Sequence, residues 1–284
     1  MNTKWFITII VSILVQNTSI AQAIMKPLGA QYGAVGTYSK SFTDVYAAQY
    51  NAAALPSLEK TSFSAYSEKR FNLKELAFYN LVAAVPVSEM DAFGISASYL
   101  GHAESNQTFL SLGYGRKLSD KIQVGTAFHY NRLGQNKFYG STSYITASVG
   151  AIMHVTEKVH VGFNAYNPIQ ATFGTGDFKE KTNAQYTFGI GYDAGKNLHL
   201  GAALVTEQNA GLSVNLSLQY NLIERLFLRG GINTQTTSYF AGLGFLLSDF
   251  RIDLATSYHP QLGLTPGVLL MYAFKKSNKG AVNP

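Results

Sequence analysis

The sequence predicts an all-β protein, namely a transmembrane antiparallel β-barrel of about 14 strands. The first reason is a period of two, which is clearest in residues 212–220, where apolar and polar side chains alternate without interruption. The second is recurrence, because similar stretches of about 9–13 residues, the length of a tilted membrane strand, follow one another along most of the chain. The third is composition: charged residues make up only 13%, while Tyr and Phe number 18 each. Lipid outside and a polar lumen inside would produce this combination.

Residues 1–23 have the features of a secretory signal peptide. Lys4 supplies a positive charge, residues 5–15 form an apolar run, and cleavage could follow either Ala21 or Ala23. A membrane anchor helix is the alternative, but the run is short and polar residues end it. The cysteine count of 0 excludes disulfides, thiolate metal ligands, cysteine nucleophiles and a lipid-anchored N-terminus.

Residues 24–58 do not alternate, and we predict that they form a hatch in the lumen. Glycines punctuate the first part, and the small residues between Phe42 and Leu55 indicate a short helix or tight coil that Pro56 should end. About eight strands can be filled by their own side chains, whereas sixteen or more leave an aqueous channel. About 14 strands fall between these cases, so other material must occupy the lumen, and this segment is the non-strand stretch large enough to do so.

The barrel itself is predicted for residues 59–275, followed by a periplasmic tail at 276–284. Short turns alternate with longer loops, which indicates periplasmic turns, external loops and both termini on the periplasmic side. Residues 263–274 form the closing strand, with Pro266 near its start. The strand candidates lie near residues 60–70, 75–86, 92–101, 107–117, 121–131, 142–155, 158–166, 183–193, 197–206, 211–221, 225–233, 236–247, 249–259 and 263–274.

Residues 33–55 resemble the N-terminal signature of the FadL-like superfamily, which has a Gly-rich run, an Asp and then Asn-Pro-Ala-x-Leu. More narrowly, they resemble the PorV/PorQ branch from Bacteroidota, and the likeness continues in residues 66–76, 112–118 and 250–260. Ala52 stands where the family has Pro, so residues 51–53 are expected to be held less rigidly. The positions that match the hatch motif are Gly33, Gly36, Asp44, Asn51 and Leu55.

The resemblance implies a fourteen-stranded barrel in the outer membrane of a Gram-negative cell, surrounded by lipid, with an N-terminal segment in its lumen. PorV relatives carry cargo for type IX secretion, so our main interpretation is an interaction or scaffold protein for secretion-system or cargo partners. FadL relatives pass hydrophobic molecules inward, so the alternative is a passive transporter of hydrophobic small molecules. For that alternative, the Gly-rich inner faces are expected to leave space beside the hatch.

Three charged residues share the inward-facing parity of nearby strands: Arg229, Arg251 and Asp253. We interpret them as a luminal charge network that braces the hatch; the alternative is a catalytic constellation. The sequence contains no G-x-S-x-G elbow, and we predict neither enzymatic activity, nor catalytic residues, nor a cofactor. The net charge of +6 is spread thinly, which argues against nucleic acid as a partner.

All six histidines also have inward parity. A metal site or a proton path is one interpretation. The other is that polar residues must face the lumen, and it is favoured because the histidines are scattered over many strands without a pair at ligand spacing. No metal site is therefore predicted.

The longest loop, residues 167–182, is a candidate surface for a protein partner. It contains Pro168, Phe173 and Phe178, which could form an exposed apolar contact. The alternative is a loop that is merely solvated.

Overall fold

The computed structural model describes residues 34–135, 140–174, 179–208 and 210–274. Within this part of the chain, fourteen antiparallel strands form one closed barrel, and the predicted fold class is confirmed. The signal peptide, the first part of the predicted hatch with Gly33, the loop residue Phe178 and the tail at 276–284 lie outside the described residues.

The wall strands follow one another around the barrel in chain order. One connection, between the strands Val159–Tyr166 and Gln185–Asp193, contains an additional short hairpin, β8 (Thr172–Phe173) with β9 (Glu180–Lys181). The barrel strands are β1 (Ser62–Lys69), β2 (Ala77–Pro86), β3 (Asp91–His102), β4 (Ser105–Lys117), β5 (Ile122–Gly134), β6 (Ser141–His154), β7 (Val159–Tyr166), β10 (Gln185–Asp193), β11 (Leu198–Glu207), β12 (Gly211–Ile223), β13 (Leu226–Asn233), β14 (Ser238–Leu247), β15 (Phe250–His259) and β16 (Gly263–Ala273).

The barrel closes between its first and last strands. Ser62 of β1 lies opposite Ala273 of β16, and the pairing continues to Glu68 opposite Gly267. Every wall strand therefore has two neighbours, and the backbone donors and acceptors of the wall are satisfied without an exposed sheet edge.

The two faces of the wall differ in the way that the alternating sequence predicts. On β12, Leu216 and Leu218 point outward and are exposed, whereas Ser213 and Gln219 point inward and are buried. Asn80 of β2 also points inward, and its side chain donates to Ser98 Oγ at 2.7 Å. An apolar outer surface around a polar interior is the arrangement of a membrane barrel.

Residues 34–58, which we call the luminal segment, lie inside the barrel. They contain the α-helix α1 (Ala47–Tyr50) and the 3-10 helix η1 (Ala52–Ser57), and Val35 and Ala53 have no exposed surface. The helix does not end at Pro56 as expected. It continues to Ser57, and a hydrogen bond from Leu58 N to Leu55 O closes its last turn.

Two further single-turn 3-10 helices, η2 (Arg70–Asn72) and η3 (Lys74–Leu76), form the connection between β1 and β2. Across the ranges that the structure describes, we find no helix whose length and apolar character would let it cross a membrane.

The inner wall receives the luminal segment at glycines. A Cβ atom on Gly150 would lie 2.0 Å from Asn51 Oδ1, and one on Gly125 would lie 2.3 Å from Ala53 N. Only a residue without a side chain permits this approach of segment to wall. The expectation that the inner glycines leave space beside the hatch is therefore wrong at these positions, because the segment itself fills the space.

Two glycines of β4 provide a matched test of this fit. A Cβ on Gly115 would lie 2.4 Å from Ala52 O, whereas one on Gly113 would meet its nearest atom, Leu55 Cδ1, at 3.4 Å. Gly115→Ala is therefore expected to displace η1, and Gly113→Ala is expected to leave it in place. Proteolysis of the luminal segment in purified protein measures the difference. Equal resistance of the two variants would contradict the described packing.

Candidate functional site

Asp44 of the luminal segment lies in a buried cluster of four charged side chains. Its Oδ2 atom is 2.8 Å from Nη2 of Arg229 on β13 and 3.0 Å from Nη1 of Arg251 on β15. Nη2 of Arg251 is in turn 2.6 Å from Oδ2 of Asp253. All four residues are buried. The structure thus brings the three residues of the predicted charge network together with one residue of the predicted hatch motif.

Neighbouring groups hold the two guanidinium groups of this cluster in place. Gln219 Oε1 accepts a hydrogen bond from Arg229 Nε at 2.7 Å, and the ring of Phe227 lies 5.2 Å from the guanidinium carbon of Arg229 and 5.1 Å from that of Arg251. Two carboxylates and two guanidinium groups make the cluster formally neutral, which is the condition under which buried charges are tolerated.

Asp44 stays ionised in this environment. Burial alone would raise the pKa of its carboxyl, but the charges of Arg229 and Arg251, together with their hydrogen bonds, hold that pKa below its ordinary value. A carboxylate that is paired with two guanidinium groups in this way accepts no proton near neutral pH. The cluster is therefore suited to anchoring the luminal segment and not to acid–base chemistry.

Asn51 joins the segment to the wall at a second point. Its Oδ1 atom accepts a hydrogen bond from Ala53 N at 3.1 Å, which caps η1, and its Nδ2 atom donates to the carbonyl oxygen of Phe163 on β7 at 3.0 Å. The side chain occupies the space above Gly150. The side-chain amide of Asn51 thus fixes both the start of η1 and the distance of η1 from the wall.

The other described residues of the hatch motif, Leu55 and Gly36, determine how the segment packs and turns. Leu55 is buried, and its side chain packs against Gly94 and Gly113 of the wall. Gly36 has a φ of +87°, and a Cβ there would lie 2.3 Å from Phe42 O, so this tight turn requires glycine.

Substitution of Asn51 should separate its two roles. Asn51→Ala loses both hydrogen bonds, and we expect docking of the segment to weaken by about 1–3 kcal/mol. Asn51→Asp keeps a capping oxygen but loses the donor to Phe163, so an intermediate effect is expected. Amide hydrogen exchange in η1 measures both effects. Protection of η1 that is unchanged in Asn51→Ala would show that neither bond matters.

A second buried cluster was not anticipated. Asp193, at the end of β10, accepts hydrogen bonds from Ser39 of the segment, with Oγ 2.9 Å from both carboxylate oxygens. Oδ1 of Asp193 lies 2.6 Å from Nδ1 of His199, and Oδ2 lies 3.2 Å from Nε2 of His160. Nδ1 of His160 is 2.9 Å from Nδ1 of His154.

The expectation of scattered histidines is thus wrong for three of the six. These three lie on β6, β7 and β11. His160 lies opposite His154, His199 lies opposite Asp193, and the two pairs meet because β7 pairs with β10 across the long loop. The shared inward parity of the histidines was the available signal, but parity alone does not give strand register. Among the described residues, no group of His, Asp and Glu has a geometry that could hold a metal ion.

The loop predicted as a partner surface is ordered at its base. Asn167 is buried, and its Nδ2 atom donates to Thr182 Oγ1 at 2.6 Å. Pro168 is exposed, and the next residue, Ile169, is 76% exposed. Phe173 is half-buried, with its ring centroid 5.6 Å from that of Tyr144, so it packs on the barrel. A partner for this loop stays a prediction.

One side of the inner wall carries a cluster of apolar side chains, which lie among polar ones such as Asn80 and Ser98. Inward side chains of β16, β1, β2, β3 and β5 form a cluster with Leu55 of the segment, and Leu100 and Phe240 are partly exposed at its edge. Further round the wall, on β4, β5 and β6, Ser111 and Ser148 are hydrogen-bonded to the two ring nitrogens of His129 at 2.7 and 2.9 Å. We call the apolar cluster the apolar stripe. Its wall members are Tyr66, Phe78, Val82, Ala84, Ala92, Ala127, Leu269 and Met271.

Solved structures described as channels or transporters share this fold. The CymD monoaromatic hydrocarbon channel aligns with a TM-score of 0.63 and 11% identity, covering 91% of this chain and 100% of that one. The likeness is one of fold. A Pseudomonas aeruginosa FadL homologue aligns with a TM-score of 0.57 and 12% identity over 87% of this chain and 98% of that one. The Ralstonia pickettii toluene transporter TbuX gives a TM-score of 0.54 and 13% identity over 88% of this chain and 97% of that one.

The sequence matches no known family model and no curated protein. The PorV/PorQ resemblance therefore rests on the quoted motifs alone.

Proposed function

We propose that this protein is an outer-membrane channel through which hydrophobic small molecules diffuse passively. The observation that carries the proposal is the apolar stripe, a cluster of apolar wall side chains that packs against the buried Leu55 and the partly exposed Leu100. A polar lumen alone would exclude apolar solutes, whereas a cluster of apolar side chains on the wall lowers the cost of removing them from water. The fold shared with channels described as carrying monoaromatic hydrocarbons or toluene supports this choice.

In this proposal the luminal segment is the hatch. It is a separate stretch of chain that contacts the wall through side-chain hydrogen bonds, ion pairs and apolar packing, and none of its residues belongs to a wall strand. Movement of the segment would therefore open a path without breaking a strand pairing. The apolar contacts of Leu55 would be exchanged for contacts with the passing molecule.

Uptake of a fluorescent hydrophobic probe tests the proposal. N-phenyl-1-naphthylamine enters cells slowly when the outer membrane is intact, and expression of the barrel in a Gram-negative host is expected to speed its entry several-fold. Leu100→Asn, which places an amide on the apolar stripe, should reduce that gain. Leu133→Asn is the matched control, because Leu133 faces inward on β5 but does not belong to the stripe. Entry no faster than in cells without the protein would overturn the proposal.

A role in protein secretion or surface display is the second candidate. The exposed Pro168 and Ile169 on a loop with an ordered base favour it, since they present apolar surface to a partner. Affinity purification from native membranes in gentle detergent is the test. Recovery of translocon or cargo proteins, lost in Ile169→Asp, would support this candidate; recovery of the barrel alone would count against it.

A further inference from the structure

We propose that Asp193 and its three histidines form a proton-binding latch, which holds the luminal segment against the wall at neutral pH and releases it in acid. This goes beyond passage of a hydrophobic molecule, because it assigns to the cluster a ligand of its own, the proton. The proposal requires only that residues 34–58 leave the wall, whatever then crosses the barrel.

The latch joins one turn of the segment to one carboxylate of the wall. Ser39 Oγ donates a hydrogen bond to the carboxylate of Asp193, and the backbone N–H groups of Lys40 and Phe42 add two further hydrogen bonds to this contact. The Lys40 amide lies 3.3 Å from Asp193 Oδ2, and the Phe42 amide donates to Ser39 Oγ at 2.9 Å. Because Ser39 and Asp193 are both buried, the bond is shielded from competing water.

The arrangement fixes where protons reside when the latch is closed. Nε2 of His160 and Nδ1 of His199 both face the carboxylate of Asp193, so each carries a hydrogen. The two Nδ1 atoms of His154 and His160 face each other at 2.9 Å, so only one of them can carry a hydrogen. His154 and His160 therefore cannot both be protonated while this contact lasts.

The second ring nitrogen of His154 is the open proton site. Its Nε2 atom is buried, and it has no hydrogen-bond partner in the part of the chain that the structure describes. A proton added there would place a charge in the interior without a counter-charge at contact distance.

The surrounding charges do not compensate for such a proton. Asp193 is the one carboxylate at hydrogen-bond distance from the described histidines of the cluster. Glu157 is exposed, and its carboxylate lies 3.2 Å from Nζ of Lys40. The positive charges of Lys40 and Lys117 repel a positive charge on His154. Asp193 can balance one imidazolium, but a second would be buried, unpaired and repelled by both lysines.

Opening therefore takes up protons. If the turn at residues 39–42 leaves the wall, water reaches His154, and its imidazole can be charged at little cost. The ordinary pKa of histidine is around 6.5. Below it, each pH unit shifts the equilibrium toward opening by up to about tenfold for every proton that the open state binds and the closed state does not. We therefore expect the latch to be closed at neutral pH and to open between about pH 6.5 and 5.

Cysteine labelling measures opening without any transported molecule. The natural sequence has no cysteine, so Val35→Cys, at a site with no exposed surface, and Ser41→Cys, at an exposed site of the same segment, can be labelled one at a time. The ratio of their rates with a maleimide cancels the effect of pH on thiol reactivity. We expect this ratio to rise at least tenfold between pH 7.5 and 5.5.

Three variants test whether the latch causes this pH response. His154→Gln with His160→Gln should flatten the pH response, whereas His129→Gln, an inward histidine bonded to Ser111 and Ser148, should keep it. Ser39→Ala should make Val35→Cys reactive already at pH 7.5. A wild-type ratio that does not change with pH, or a full response in the double histidine variant, would overturn the latch. Normal probe uptake with such a result would leave the proposed channel function intact.

Discussion

Deletion of residues 34–58 is expected to leave a folded barrel that conducts ions continuously. The wall closes through pairing of β1 with β16, so its backbone hydrogen bonds do not depend on the deleted residues. About 14 strands enclose more space than side chains alone fill, so removal of the luminal segment should open an aqueous path. Conductance in planar bilayers measures the path, and heat-modifiable gel mobility verifies that the barrel is folded.

A replacement variant separates loss of contacts from loss of chain length. A Gly/Ser stretch of equal length in place of residues 34–58 keeps the bulk of the chain but none of the contacts, and it should conduct nearly as well as the deletion. If instead the deletion inserts and stays electrically tight, the external loops close the lumen and the hatch assignment is wrong.

Asp44→Asn is expected to release the segment almost as completely as deletion. The change leaves Arg229 and Arg251 with Asp253 alone, so one buried positive charge loses its partner. Breaking a buried ion pair in this way costs about 3–5 kcal/mol, which corresponds to more than a hundredfold loss of docking affinity. The fraction of time that single barrels spend in the conducting state is the measurement. Gel mobility should not change, because the two arginines belong to the wall.

Restoring neutrality should restore closure. Asp44→Asn combined with Arg229→Gln removes one charge of each sign, and this double variant is expected to recover most of the closed time. The matched control is Asp44→Asn with Arg132→Gln, since Arg132 is exposed on β5 and lies outside the cluster. Equal closure in both double variants would show that the charge balance is not what holds the segment.

The fold could be predicted from the sequence because its signal is local. Alternation in stretches such as residues 212–220 follows directly from a wall with lipid on one side and a polar lumen on the other, and it requires no knowledge of which strands are neighbours. The same parity gave the inward direction of Arg229, Arg251 and Asp253. The sequence did not indicate which residue of the segment they contact, and the structure places Asp44 there.

The Asp193 cluster could not be predicted in this way, because it depends on register. His160 and Asp193 are brought together by pairing of β7 with β10 across a long loop, and the length of that loop carries no register information. The inner glycines were misread for a related reason. Gly125 and Gly150 are conspicuous in the sequence, but whether such a position is empty or filled depends on the path of a segment more than 70 residues away.

The attachment of the luminal segment to the first wall strand makes it, in effect, a ligand tethered to its own receptor. A short tether supplies an effective concentration of about 1 mM, so an intrinsic dissociation constant of about 10 μM would leave the barrel open about 1% of the time. A loss of about 3 kcal/mol would raise that figure to roughly 60%. On this view occupancy depends on the tether as well as on the contacts, and lengthening the chain between Ser57 and Ser62 would raise the resting leak while every contact stayed intact.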